Sequence, residues 1–158
     1  MQITFSGPNG VGKTTLIIEY AKHLRSQGYT VELFKCPDYT TDSGKIINSK
    51  VRNKLHPDDL TTLYLSNIIE VEQMARKIEA DIKIFDRGRL DCYVYGTIRG
   101  SRIEYNNPNG DLQIVLISEY HPLYFSLIDR DETRPEVFQE LNESIKMFKK
   151  MKDNLWFH

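Results

Sequence analysis

Cysteine is scarce: only Cys36 and Cys92 occur in 158 residues. Their spacing offers no paired metal motif, and both read as reduced thiols tucked near the core, where free cysteine is usually found. The four histidines, His23, His56, His121 and His158, form no catalytic constellation in the sequence. No apolar run approaches the roughly 20 residues that span a bilayer, so no membrane contact is expected. The chain enters a strand-like run at Gln2 to Ser6 without the charged and apolar regions of a secretory leader, so the expected compartment is the cytoplasm. Neither sign of charge is in excess. A balance of 21 Lys and Arg against 22 Asp and Glu leaves a net charge of −1, which gives no reason to expect nucleic acid as a partner. Repeats, low-complexity tracts and linkers are absent too, so residues 1–158 are expected to form a single domain.

What is present is a globular composition, 40% hydrophobic and 27% charged. A chain of this length can bury roughly 70% of the surface it exposes when unfolded. Ile3-Thr4-Phe5 reads as a short buried strand. A helix follows from about Gly12 to Gln27, with Leu16, Ile17, Tyr20, Ala21 and Leu24 at three and four spacing and Gly28 as a stop. Thr30 to Lys35 is a second strand that Pro37 prevents from continuing centrally. A short helix is expected over Ser43 to Arg52. A long one starts at His56-Pro57-Asp58-Asp59 and presents one stripe, Leu60, Leu63, Tyr64, Asn67, Ile68, Val71, Met74, Ala75 and Ile78. Ile82 to Phe85 is a third strand, Leu90 to Ile98 a helix, Glu104 to Asp111 a loop and Leu112 to Ile117 a fourth strand. Glu119 to Arg134 is irregular, Pro135 to Lys152 helical, and Leu155-Trp156-Phe157 a last short strand. Strands alternating with helices predict an α/β fold in three layers, a central parallel sheet of about five strands with helices on both faces.

One motif carries specific chemistry. Gly7-Pro8-Asn9-Gly10-Val11-Gly12-Lys13-Thr14 has the form G-x-x-x-x-G-K-[ST] and lies between a predicted strand and a predicted helix. Glycines 7, 10 and 12 let the backbone curl so that successive N–H groups, including those of Asn9, Val11 and Thr15, line one concavity. The helix start adds the positive end of its dipole. Lys13 is placed to reach the β- and γ-phosphates and Thr14 to offer a hydroxyl to magnesium, so the expected ligand is ATP with Mg2+. The loop alone does not separate motors, switches and small-molecule kinases.

Two more segments narrow the choice. Pro37-Asp38-Tyr39-Thr40-Thr41-Asp42-Ser43-Gly44-Lys45-Ile46-Ile47-Asn48 resembles the F-P-D-R-x-T-x-x-G-x-L-I segment of thymidylate kinases, and Asp86-Arg87-Gly88-Arg89-Leu90-Asp91-Cys92-Tyr93-Val94-Tyr95 resembles the family's D-R-Y-x-x-S-x-x-A-Y. The resemblance implies a P-loop nucleoside monophosphate kinase. It gives Arg87 the acceptor phosphate or the γ-phosphate, Asp86 a water-mediated hold on magnesium, and Asp38 a place facing the acceptor. Tyr64 would stack on the acceptor base and Tyr95 would crowd the sugar 2′ position. Arg130 and Arg134 fall in a lid over about 119–135, where an arginine would neutralise charge on the travelling phosphoryl group. A homodimer through helices flanking the sheet is also implied. The sequence departs from the pattern at Tyr39 and Ile68, where the family has arginines, at Asn9, where an acidic residue is usual, and at Gly88 and Asp91.

Plainer roles stand beside these. Asp86 and Arg87 could form a surface ion pair, Tyr64 and Tyr95 could be core, and Asp38 could initiate a turn. Arg130 and Arg134 could sit in a solvated charged loop, Arg89 and Asp91 could serve the acceptor, and the basic stretch Lys146 to Lys152 could be a solvated helix face. The expected reaction is ATP-dependent phosphorylation of a deoxynucleoside monophosphate, dTMP first, a small-molecule acceptor. The alternatives are a deoxynucleoside kinase and a non-catalytic nucleotide-binding protein with a kinase-like fold. A phosphate acceptor is already anionic near neutral pH, so phosphoryl transfer to it needs positioning and positive charge more than a strong base.

Overall fold

The computed structural model describes residues 1–104 and 112–116. Within them the elements run β1 (Gln2–Ser6), α1 (Lys13–Ser26), β2 (Val31–Lys35), α2 (Asp42–Asn48), a 3-10 helix (Lys50–Lys54), α3 (Pro57–Arg76), β3 (Ile82–Asp86), α4 (Arg89–Ile98) and β4 (Leu112–Val115). The four strands form one sheet in the order β2-β3-β1-β4, and every pairing is parallel. The expected lid, the last helix and a fifth strand at Leu155 to Phe157 lie outside the described residues, as do Arg130 and Arg134.

That strand order dictates the layers. The step from β1 to β2 runs one way along the sheet, and the steps from β2 to β3 and from β3 to β4 run the other way. Right-handed crossovers therefore put α1 on one face and α3 and α4 on the other. Side-chain alternation along the strands follows suit. Ile3, Phe5, Ile82 and Ile84 pack with Ile17, Tyr20, Ala21 and Leu24 of α1. On the opposite face Phe85, Phe34 and Cys36 pack with Ile68, Val71 and Ala75 of α3. The chain leaves β1 toward one face and β3 toward the other, so a crevice opens between their carboxyl ends, where ligands bind in such sheets.

Two local expectations are corrected. The helix expected over Ser43 to Arg52 is broken at Ser49, which is extended (φ −83°, ψ 164°). Its hydroxyl donates to the Ile46 carbonyl and accepts from the Val51 amide, closing one helix and capping the next turn. The α3 stripe is narrower than expected: Thr61, Asn67, Ile68, Val71 and Ala75 are buried, whereas Met74 and Ile78 are exposed. In β2, Leu33 is exposed, because β2 lies at the edge of the sheet. No helix among the described residues is long and apolar enough to cross a membrane.

Candidate active site

The loop after β1 has the backbone its glycines were read for. Gly7, Gly10 and Gly12 have φ of 142°, 80° and 84°, conformations open to glycine and costly for other residues. Gly7 is further constrained, because a Cβ there would lie 2.4 Å from the Leu116 carbonyl oxygen. Val11 anchors the loop inward, at 5% exposure. Lys13, the first residue of α1, is buried, and its ammonium donates to the carbonyls of Gly7 (2.8 Å) and Pro8 (2.6 Å). Burial, and after it the charge of Arg87, holds the Lys13 pKa below its usual value.

β1 and β3 are neighbours, so the loop meets the end of β3. The Thr14 hydroxyl donates to Asp86 Oδ2 at 2.6 Å. A hydroxyl and a carboxylate are hard oxygen donors, the kind magnesium takes while keeping several waters. Thr14 and Asp86 therefore fit that ion. Among the described residues no cluster of three or more His, Cys, Asp or Glu is arranged to hold a metal by protein ligands alone.

Arg87 follows Asp86 with φ of 76°, a strained left-handed conformation for a non-glycine residue. Its amide donates to the Phe5 carbonyl at 2.9 Å, tying the turn to β1. The guanidinium points back across the crevice. Nη1 donates to the Gly7 carbonyl (3.2 Å) and to Asp91 Oδ1 (2.8 Å), and Nη2 to Asn9 Oδ1. Asp91 is buried and also accepts from the amides of Gly7 (3.3 Å) and Gly88 (3.2 Å). The plainer alternative, an ion pair between Asp86 and Arg87, is not made: Asp86 accepts from Thr14, and Arg87 pairs with Asp91 one turn on in α4. Arg89 turns the other way, to a bidentate pair with Glu72 of α3 (3.0 and 2.7 Å).

Beside Arg87 a cavity of about 220 Å³ opens between α3, α4 and the chain after β2. Tyr64, Ile68, Tyr95 and Arg87 line it, together with Asn9 and Asp91. Asp38 does not. Its carboxylate accepts from the Thr40 amide (2.8 Å) and hydroxyl (2.7 Å), the turn-initiating role. Tyr39 stands in the cavity wall instead, half exposed. Thr15 is exposed on the first turn of α1.

The roles of two residues were not anticipated. Asn67, fully buried, accepts from the Asp38 amide (2.9 Å) and donates to the Asp38 carbonyl (2.9 Å), the Thr41 hydroxyl (2.7 Å) and the Ser43 hydroxyl (3.1 Å). It fixes the segment after β2 against α3. Arg99, at the end of α4, lines the cavity and lies over the rings of Tyr64 (5.6 Å) and Tyr95 (5.7 Å). The spacing of Tyr95 and Arg99, one helical turn apart, was the available signal.

A glycine loop feeding a helix, a lysine among the loop carbonyls and an acid at the end of the neighbouring strand define a P-loop nucleotide-binding α/β protein. The thymidylate kinase family model matches residues 5–155, and the chain belongs to this family of P-loop nucleoside monophosphate kinases. The fold resembles thymidylate kinase from Candida albicans, with a TM-score of 0.67 at 18% identity, covering 94% of this chain and 92% of that one. It also resembles thymidylate kinase from Ehrlichia chaffeensis, with a TM-score of 0.54 at 19% identity, covering 92% and 98%. Among curated proteins the chain is 31% identical over 85 residues to nucleoside-triphosphatase THEP1 of Sulfurisphaera tokodaii, covering 52% of this chain and 49% of the relative. It is 29% identical over 104 residues to tRNA dimethylallyltransferase of Fervidobacterium nodosum, covering 61% and 32%. The chain thus spans about half the length of the first and a third of the second.

Proposed function

We propose that this chain transfers the γ-phosphoryl group of ATP to a deoxynucleoside monophosphate, with dTMP the first candidate acceptor. The observation that carries the reading is the position of Arg87. It bridges the phosphate loop, through Gly7 and Asn9, to the aromatic cavity, through the Tyr95 ring at 5.3 Å. A polyphosphate held by the loop and a monophosphate reaching out of the cavity would meet at this guanidinium.

In the reaction an oxygen of the acceptor phosphate bonds to the γ-phosphorus as the bond to the β–γ bridging oxygen breaks, releasing ADP. Lys13 and Arg87 supply fixed positive charge around the transferring group, the main requirement of phosphoryl transfer. Magnesium, held by Thr14 and through water by Asp86, would supply further neutralisation of the polyphosphate. Tyr64 and Tyr95 enclose the acceptor nucleoside, and Asp91 orients Arg87. Asp38 contributes by setting the turn that carries Tyr39 into the wall. Arg130 and Arg134 are candidates for a lid arginine that closes over the nucleotide and excludes water. A homodimer and a cytoplasmic location complete the reading.

A nucleoside acceptor would need a carboxylate base near its 5′ oxygen. Asp91 is poorly suited, since its oxygens already accept from Arg87, Gly7 and Gly88. The test is ADP release across the common deoxynucleoside monophosphates, with thymidine alongside. Turnover of a monophosphate that Lys13→Ala lowers by about a hundredfold or more is expected. Turnover of thymidine alone would establish a nucleoside kinase, and ATP binding without turnover of any acceptor would establish the non-catalytic alternative.

A further inference from the structure

The cavity holds two guanidiniums in different circumstances. Arg87 already has a counter-ion, Asp91, with the loop carbonyl and Asn9 as further acceptors. Arg99 has no carboxylate partner among the described residues. Its contacts there are the faces of two tyrosines, which hold a cation without consuming its N–H donors. Both guanidiniums lie over the Tyr95 ring, at 5.3 and 5.7 Å from its centroid, so the two charges share one aromatic wall of the cavity. The charge of Arg99 is also felt inside. Burial pushes the Cys92 thiol, which lines the cavity, up to about 11, and Arg99 is the group that opposes the rise.

Several of the other lining side chains bring no free donor. Ile68 offers none, and the Thr61 hydroxyl donates back to the Pro57 carbonyl at 2.8 Å. A ligand anchored by its phosphate at Arg87 therefore presents its base to the Tyr64 ring and to Arg99. Guanidinium has donors and no acceptor. It rewards a base edge that carries carbonyl oxygens, and it leaves an amino group facing N–H donors with no acceptor, a mismatch that discriminates strongly in a desolvated site.

We infer that Arg99 is a specificity-determining residue that selects acceptors whose base presents a carbonyl edge, the keto pyrimidines, over those presenting an amino group. The inference rests on the proposed monophosphate kinase activity for its turnover readout, but not for its binding readout. Because thymine and uracil differ from cytosine in that edge at nearly the same size, dTMP and dUMP against dCMP isolate the effect from cavity volume.

The test compares wild type with Arg99→Leu and Arg99→Lys, by steady-state kinetics on the three monophosphates and by calorimetric binding of the same three. ATP-induced thermal stabilisation serves as the control for folding. Arg99→Leu should lower kcat/KM for dTMP and dUMP about ten- to a hundredfold, chiefly through KM, and leave dCMP little changed. Arg99→Lys, which keeps charge and donors, should recover part of the preference. An equal fall on all three acceptors, or an unchanged ratio between them, overturns the inference while leaving the kinase reading intact. If the wild type turns over none of them, the kinase reading fails alone, provided that keto over amino preference in binding is present and disappears in Arg99→Leu. Absence of that binding preference overturns the inference as well.

Discussion

The two faces of the sheet are built on different plans. Beneath α1, Phe5, Tyr20, Ile82 and Ile84 are sealed from solvent, and Phe5 meets Tyr20 edge to face at 6.4 Å. Beneath α3 and α4 a buried asparagine holds the adjoining chain, and a cavity stands open where side chains would otherwise meet. On the proposed reading, the closed face carries the loop for a polyphosphate, which needs the same cradle whatever base is attached. On the same reading, the open face carries the part that distinguishes acceptors. Close packing would then serve the generic part of recognition, and space and polar contacts the particular part.

The sharpest way to break this contrast is in the cores. Phe5→Ala should cost about 3–5 kcal/mol of stability, with Ile68→Ala nearer about 2 kcal/mol because its side chain already borders open space. Denaturant titrations of the two would measure this, and equal losses would erase the distinction. Asn67→Ala comes next. It strands the Asp38 amide and should cost about 1–3 kcal/mol. It should also raise the acceptor KM while the affinity for ATP, read by titration, stays at the wild-type value.

The smallest effect is one of pH. Burial first and Arg87 second hold the Lys13 ammonium below its ordinary 10.5, and a bound polyphosphate would raise it again. On the proposed reading, protonated Lys13 is the binding form. Nucleotide affinity should therefore be level through neutral pH and decline on the alkaline side, beginning at the lowered pKa of the free protein. Calorimetry across alkaline pH checks this, and Lys13→Arg should flatten the decline because arginine keeps its proton.

Much of the closed face was legible in the sequence. The glycine spacing of the loop, the 3.6-residue periodicity of α1 and the strand content of β1 and β3 are local properties, and each survives in the fold. Ser49 was not legible as a break, because its side chain had to choose between continuing a helix and capping the next turn. Asn67 was placed correctly on the buried stripe, yet its role depends on Asp38, Thr41 and Ser43, more than twenty residues away. Arg99 stood at the end of a helix like any terminal arginine until α3 set Tyr64 beside it. Asp38, read from resemblance as facing the acceptor, turns to Thr40, and Tyr39 takes the wall. Local pattern found the cradle, and only tertiary packing revealed the slot.

Gly96 sits in α4 where a Cβ would come within 2.7 Å of the Thr61 hydroxyl oxygen. Hydrogen thus acts as a spacer, letting two helices approach until tyrosines 64 and 95 share one guanidinium. A single methyl at that crossing would wedge the pair apart and loosen the grip of the two rings on the cation between the helices.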